Sequence, residues 1–376
     1  MDKIVKNKFI IITFLIVIFL FFGSITNTLV LNNRGIVVGM GLDYDEGDIK
    51  VSCQVLVAGN MGADTANNDN YAVLSSRGKT FGDATQKMKV DSAEFMSYAH
   101  CNTIIVSRKM IESGELFVVL DELLKNSKIT ENTHLVCYDG DPEVMLKQKV
   151  GLNLMASFSL QRMLGTSEEY VDIVKCSIKD YLKGLLEGGV VVLPEVVIEN
   201  KMDEPTQGND QEGEGKVLLS VRKGVAVGDK GYIASLSEDE VGYYNLVMKN
   251  FDKGTFAVTT KEGMRSFDFL SKSVKIEYEQ GYEANIKVEL ELAEGNKIMD
   301  NKKREEGDKE EVARRISESI KKGIEEMVEK FDKKGADIYS LADGYRKEYG
   351  EEKTKLDGEK YGKMKVVVDI KCKITT

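Results

Sequence analysis

"DKEEVARRISESIKKGIEEMVEKF", residues 308–331, decides the fold class of this chain. Val312, Ile316, Ile320, Ile324, Met327, Val328 and Phe331 recur at helical steps, so they share one apolar stripe while the charges face water. Gly335 is placed to stop the helix, which is expected over 308–334. On both sides the period changes to two. "SVKIEYE" (273–279), "NIKVELELA" (285–293) and "KMKVVVDIKCKI" (363–374) alternate apolar and charged residues, as strands with one dry and one wet face do. A helix laid on a mostly antiparallel sheet is an α+β unit, assigned to residues 261–376.

Upstream, strand and helix patterns mix in the same way. Residues 34–41 and 49–57 flank "DYDEGD" and predict a hairpin. "YAVLSSRG" (71–78), "NTIIVS" (102–107) and "THLVCYDG" (133–140) predict further strands, and 58–70 a polar loop. Thr80 is placed to cap a helix from Phe81 to about Val90, and residues 109–126 carry a second helical pattern. Asp141 before Pro142 marks a third helix start. Thr166 and Glu169 have capping-box spacing and Gly188–Gly189 follow, so one long helix is expected between them. These elements make an N-terminal α+β domain over 32–187. A small middle α+β domain is expected over 188–260, with strands, a helix starting at Ser237–Glu240, and an acidic flexible insertion at 201–216.

The first residues read differently. Lys3, Lys6 and Lys8 precede "FIIITFLIVIFLFF", 14 residues from Phe9 to Phe22. That is a targeting pattern, and the lysines should remain cytoplasmic while the rest is sent outward. Ile25 and Leu29–Leu31 extend the apolar character toward the roughly 20 residues of a membrane span. Residues 1–31 are therefore expected to be a signal or anchor helix, either uncut or cleaved near Gly23. The rest is a large ectodomain on the far side of a membrane.

Composition narrows the function. The 376 residues carry a net charge of −10, which argues against nucleic acid as a partner. The five cysteines, Cys53, Cys101, Cys137, Cys176 and Cys372, show neither zinc spacing nor a disulfide framework. Cys53 and Cys372 each lie on an apolar strand face, as small buried hydrophobes do. His100 beside Cys101 is the one arrangement resembling a nucleophile and base, but neighbours on a strand point to opposite faces. No phosphate-binding loop, HExxH, GxSxG or EF-hand loop is present. No catalytic, cofactor or metal residue is assigned.

Four segments in order resemble the Ger(x)C family, the C subunits of spore nutrient-germinant receptors. "LNNRGIVVGMGLDYDEG" (31–47), with Leu31, Asn32, Asn33, Gly39, Gly41 and Asp43, is similar to the family's opening segment. "RGKTFGDATQKM" followed by "YAHCNTIIVSRKMIESG" resembles its next element. "GVAVGDKGYIASLSEDEVGYYNLV" resembles its middle segment and "KKGADIYSLADGYRKEYG" its C-terminal block, with Ala336, Asp337, Ile338 and Tyr349. The resemblance implies a non-enzymatic exported protein on the outer face of the inner spore membrane. It implies assembly with a membrane-embedded A-type subunit and a transporter-like B-type subunit, and a role in nutrient-triggered germination. Family members carry a lipid on a cysteine near the position of Ser24, where serine cannot form the thioether. An uncut helix is the replacement anchor expected. Tyr339, Tyr345 and Tyr349 are candidate partner contacts, or else packing residues of the last domain. The alternative is a stand-alone, membrane-anchored ligand-binding protein; a thiol hydrolase using Cys101 is a third reading.

Overall fold

The computed structural model describes residues 34–56, 71–92, 95–151, 155–166, 170–202, 216–248, 251, 254–260, 263–294, 306–350 and 364–375, with Thr13, Phe14 and Ile16. The expected anchor is otherwise outside the described residues, as are Ser24 and most of the polar segments expected at 58–70 and 201–216. Among the described residues no helix is long and apolar enough to cross a membrane.

The larger of the two sheets among the described residues begins with β1 (Arg34–Asp45) and β2 (Asp48–Leu56), the expected hairpin. Its turn uses Glu46 and Gly47 at positive φ, 50° and 85°. β3 (Tyr71–Gly78) pairs with the outer side of β2. On the other side of β1 lie β5 (Thr103–Ser107), β6 (His134–Tyr138) and β7 (Val191–Met202), all parallel. β8 (Lys216–Gly228) and β9 (Gly231–Leu236) complete the sheet antiparallel, and short β4 (Phe95–Ser97) pairs parallel with the start of β1. Every residue of β5 is buried, because helices cover both faces of the parallel strands.

On one face lie α1 (Phe81–Ser92), α2 (Arg108–Glu112), α3 (Leu116–Asn126) and α6 (Ile178–Leu186), over a core that includes Met40, Val51, Cys53, Ile104 and Leu120. On the other lie α4 (Pro142–Leu146) and α5 (Ala156–Gly165), over Ile105, Val136 and Val196. Several starts are where sequence places them. Asp141 accepts from the Glu143 amide at 2.9 Å with Pro142 at the first helical turn. Thr80 accepts from Asp83 N at 3.1 Å.

The second sheet runs β10 (Thr255–Thr260), β11 (Gly263–Glu279), β12 (Glu283–Glu294) and β13 (Lys365–Thr375). The first three are antiparallel, and β13 joins β12 in parallel. Between β12 and β13 the chain forms α8 (Glu306–Asp332) and α9 (Leu341–Tyr349). The stripe Val312–Phe331 is buried, and Gly335 ends this unit's long helix region with φ 65°. Between α8 and β9, α7 (Glu238–Met248) starts with a reciprocal cap: Ser237 N donates to Glu240 at 2.8 Å and Glu240 N to Ser237 at 3.3 Å.

The structure differs from the sequence reading at four places. The helix expected from Thr166 covers only Ile178–Leu186, started by a capping box of Ser177 and Asp180. Thr166 instead caps the C-terminus of α5, a helix the pattern did not show. The chain before Ser177 is extended, where Cys176 O accepts from Leu135 N at 2.9 Å and Val174 and Cys176 are buried. Burial and pairing along β6 outweigh helix propensity there. The 109–126 pattern is two helices, broken at Gly114 with φ 77°. The segment expected as a middle domain has no sheet of its own: β7–β9 extend the first sheet, and α7 joins the core of the second. Finally, the second sheet starts at Thr255, before the expected boundary at 261.

Candidate functional site

In a parallel sheet, ligands favour the carboxyl ends of the strands. Here that edge holds two charge clusters. Arg108 follows β5, Asp139 follows β6, and Glu195 lies in β7. Arg108 pairs with Glu195, stands 3.3 Å from Asp139, donates to Ser235 at 3.3 Å, and lies 4.9 Å from the Tyr232 ring centre. Burial pushes the Glu195 carboxyl up, with Arg108 opposing it. In the second cluster Lys50 reaches Asp141 and Glu143, both at 2.7 Å. Burial raises the Glu143 carboxyl, but hydrogen bonds from Lys147 and Lys50 outweigh it and bring it to about 2. Both clusters are internally paired, so their chemistry is that of struts between strands and loops. Sequence reasoning missed them. The available signal was a carboxylate inside the apolar run "VVVLPEVV", since a buried charge requires a partner.

The three tyrosines singled out from sequence gather in the C-terminal unit. Tyr339 is 2% exposed and stacks on Tyr244 at 6.4 Å. Tyr345 is 5% exposed and sits among Tyr278, Tyr282 and Tyr349, at 6.1, 5.1 and 4.7 Å between ring centres. Tyr349 is half-buried and donates to Tyr278 O at 3.0 Å. The structure thus places Tyr339 and Tyr345 in the core and leaves only Tyr349 at its margin.

Cys101 is buried and directs its thiol to Thr103 O at 3.6 Å, while neighbouring His100 is exposed. Burial pushes the Cys101 thiol up to about 12. A thiol held neutral is a poor nucleophile. His134 is half-buried in β6, and burial and Lys175 lower its affinity for a proton. Among the described residues no group of three or more metal-ligating side chains occurs.

One cleft, of about 480 Å³, lies between the end of α6, the β8–β9 turn and the α8–α9 link. Glu187, Asp229, Asp337, Asp343 and Arg346 line it. Gly189 lets the walls meet, because a Cβ there would stand 3.3 Å from Ser340 Oγ. Asp337 spends one oxygen on the α9 start, accepting from Ala342 N at 2.7 Å. A second cleft of about 530 Å³ runs between α7 and α8, beside Tyr243 and Phe269.

Residues 27–198 match the family model described as spore germination protein N-terminal domain. Residues 223–376 match the one described as spore germination B3/GerAC like, C-terminal. Spore germination protein KC of Bacillus subtilis (strain 168) is 24% identical over 237 residues, 60% of this chain. The match spans 58% of that relative's length. The crystal structure of the GerBC protein shares the fold, with a TM-score of 0.54 at 14% identity over 90% of this chain and 97% of the other.

Proposed function

We infer that this chain, which belongs to the Ger(x)C family of spore germination proteins, is the C-type subunit of a germinant receptor. Its work is assembly at a membrane surface, with a membrane-embedded A-type and a transporter-like B-type subunit, to trigger germination in response to nutrients. The ectodomain faces away from the cytoplasm, at the inner spore membrane. The observation that carries the reading is the pair of family matches, in order, over both sheet systems. The self-paired charge clusters and the buried Cys101 thiol agree with a scaffold more than with a hydrolase. With serine at position 24, the N-terminal helix itself serves as anchor. Two measurements on protein extracted from host membranes by detergent test this. Co-purification of polytopic subunits is expected, and their absence under conditions that retain other membrane complexes would remove the subunit reading. Intact mass should equal that of the chain from Met1; a lipid adduct would remove the uncut-helix reading.

The cleft beside Arg346 favours one second reading, a ligand-binding protein acting alone. That reading expects direct nutrient binding by the isolated full chain in detergent, weakened by Arg346→Ala.

A further inference from the structure

The chain enters the ectodomain at one defined point. β1 starts at Arg34 and runs beside β4 with Arg34 opposite Phe95. Phe95 is 61% exposed, and Val90, in the last turns of α1, is 72% exposed. Lys89 holds its ammonium 4.2 Å from the Phe95 ring centre. An exposed aromatic ring and an aliphatic side chain beside a lysine form the combination that suits a bilayer boundary, where rings lie at headgroup level and lysine keeps its charge in water.

The anchor brings a bilayer close to this rim. From Leu31 to Arg34 is three residue steps, at most about 10 Å of extended chain, and from Phe22 it is twelve steps, at most about 40 Å. Ile25 and Leu29–Leu31 are themselves apolar, which favours the shorter tether. The opposite end of the parallel strands is different in kind: it carries the ion-paired Lys50, Asp141 and Glu143, with α4 beside them.

We propose that the rim formed by Lys89, Val90 and Phe95 is a membrane-contact surface that rests in the headgroup region of the bilayer holding the anchor. This rests on the anchored reading above. The ectodomain then stands with the amino ends of β1, β5 and β6 toward the lipid and the charge clusters away from it. The contact is apolar in character, because a chain of net charge −10 gains nothing general from anionic lipid.

The chain contains no tryptophan, so one introduced indole reports without background. Full-length Phe95→Trp protein is reconstituted in phosphatidylcholine vesicles with plain or brominated acyl chains, with Val90→Trp as a second reporter and Val144→Trp, on α4, as the distal control. Insertion of the rim by the roughly 5–10 Å typical of interfacial groups predicts that Phe95→Trp and Val90→Trp lose about half their emission in brominated vesicles. Val144→Trp should be unchanged. Protein that floats with the vesicles but shows no quenching at 90 or 95 overturns the contact surface and leaves the anchor standing. Equal quenching at 144 also overturns it, since no one end would then face lipid. Protein that does not float with vesicles overturns the anchor, and the contact surface with it.

Discussion

The two sheets solve burial in opposite ways. In the first, β5 is buried at all five positions, covered by helices on both faces. In the second, β13 alternates exposed and buried residues, with only one face against α8. A strand buried on both faces has no wet side on which to place charge, so an ionic group within it must be paired, as Glu195 inside β7 is with Arg108 just after β5. A strand with a wet face keeps its charges in solvent: Lys287 and Lys275 both reach Glu277 on the exposed face, at 2.5 and 2.6 Å. Similar ion pairs therefore differ in consequence by location.

The largest effect should follow from breaking the buried pair. Arg108→Ala leaves Glu195 buried without its cation and should destabilise by about 3–4 kcal/mol. Urea unfolding followed by tyrosine fluorescence measures it. The double variant Arg108→Met/Glu195→Leu should recover much of the loss. Lys287→Ala in the wet-faced sheet should leave the same midpoint nearly unchanged. Equal losses from Arg108→Ala and Lys287→Ala would erase the contrast between the sheets.

Close behind comes the tyrosine cluster. Tyr345→Ala removes a ring that touches three others and should cost about 3 kcal/mol, whereas Tyr349→Phe removes one hydrogen bond at the margin and should cost clearly less. A Tyr345→Ala protein of unchanged stability that no longer retains its membrane partners would restore that ring as a contact residue. Gly323 sharpens the same unit. It lies in mid-helix, where alanine is the better helix former. Yet a Cβ there would overlap the Tyr243 ring of α7, so Gly323→Ala should destabilise by about 1–2 kcal/mol.

What was legible in the sequence follows the same division. The wet-faced sheet and its helix show their periods openly, and the stripe from Val312 to Phe331 is buried as read. The first sheet hides its organisation. Nothing local in "VVVLPEVV" shows that β7 lies beside β6, because partners across a parallel pair are distant in sequence; β8 and β9 then follow β7 into that sheet by antiparallel pairing. The Thr166–Glu169 spacing resembled a cap, but Ser177–Asp180 eight residues after Glu169 completes one, and the stretch before it pairs with β6. The site residues were less legible than the fold. From sequence Tyr339 and Tyr345 read as partner contacts or else as packing residues of the last domain, and the fold decides for packing by burying both. Arg108, Asp139 and Glu195 lie 87 residues apart at their extremes and are joined by topology alone.

A smaller change in stability than at the buried pair is expected at Glu143, where pH separates the two kinds of ion pair. Its folded pKa, about 2, lies below the ordinary glutamate value. A depressed carboxylate favours the folded state above its unfolded pKa, and that contribution is lost as pH falls from about 4.5 toward 2. Full conversion of the shift would give about 3 kcal/mol, but Glu143 is partly open to solvent, and about 1 kcal/mol is the realistic share. Glu277 has the same depressed value through hydrogen bonds from Lys275 and Lys287, but it lies on the wet face, where water replaces those partners readily. Glu143→Gln should therefore flatten the acid limb of the stability profile between pH 4.5 and 2, and Glu277→Gln should leave it nearly unchanged. Added salt separates them further: at about 1 M, screening should abolish any residual effect at Glu277 and spare most of that at Glu143. If both variants flatten the limb equally, solvent exposure does not govern these pairs, and the Lys50–Asp141–Glu143 cluster holds its loop no more tightly than a surface pair does.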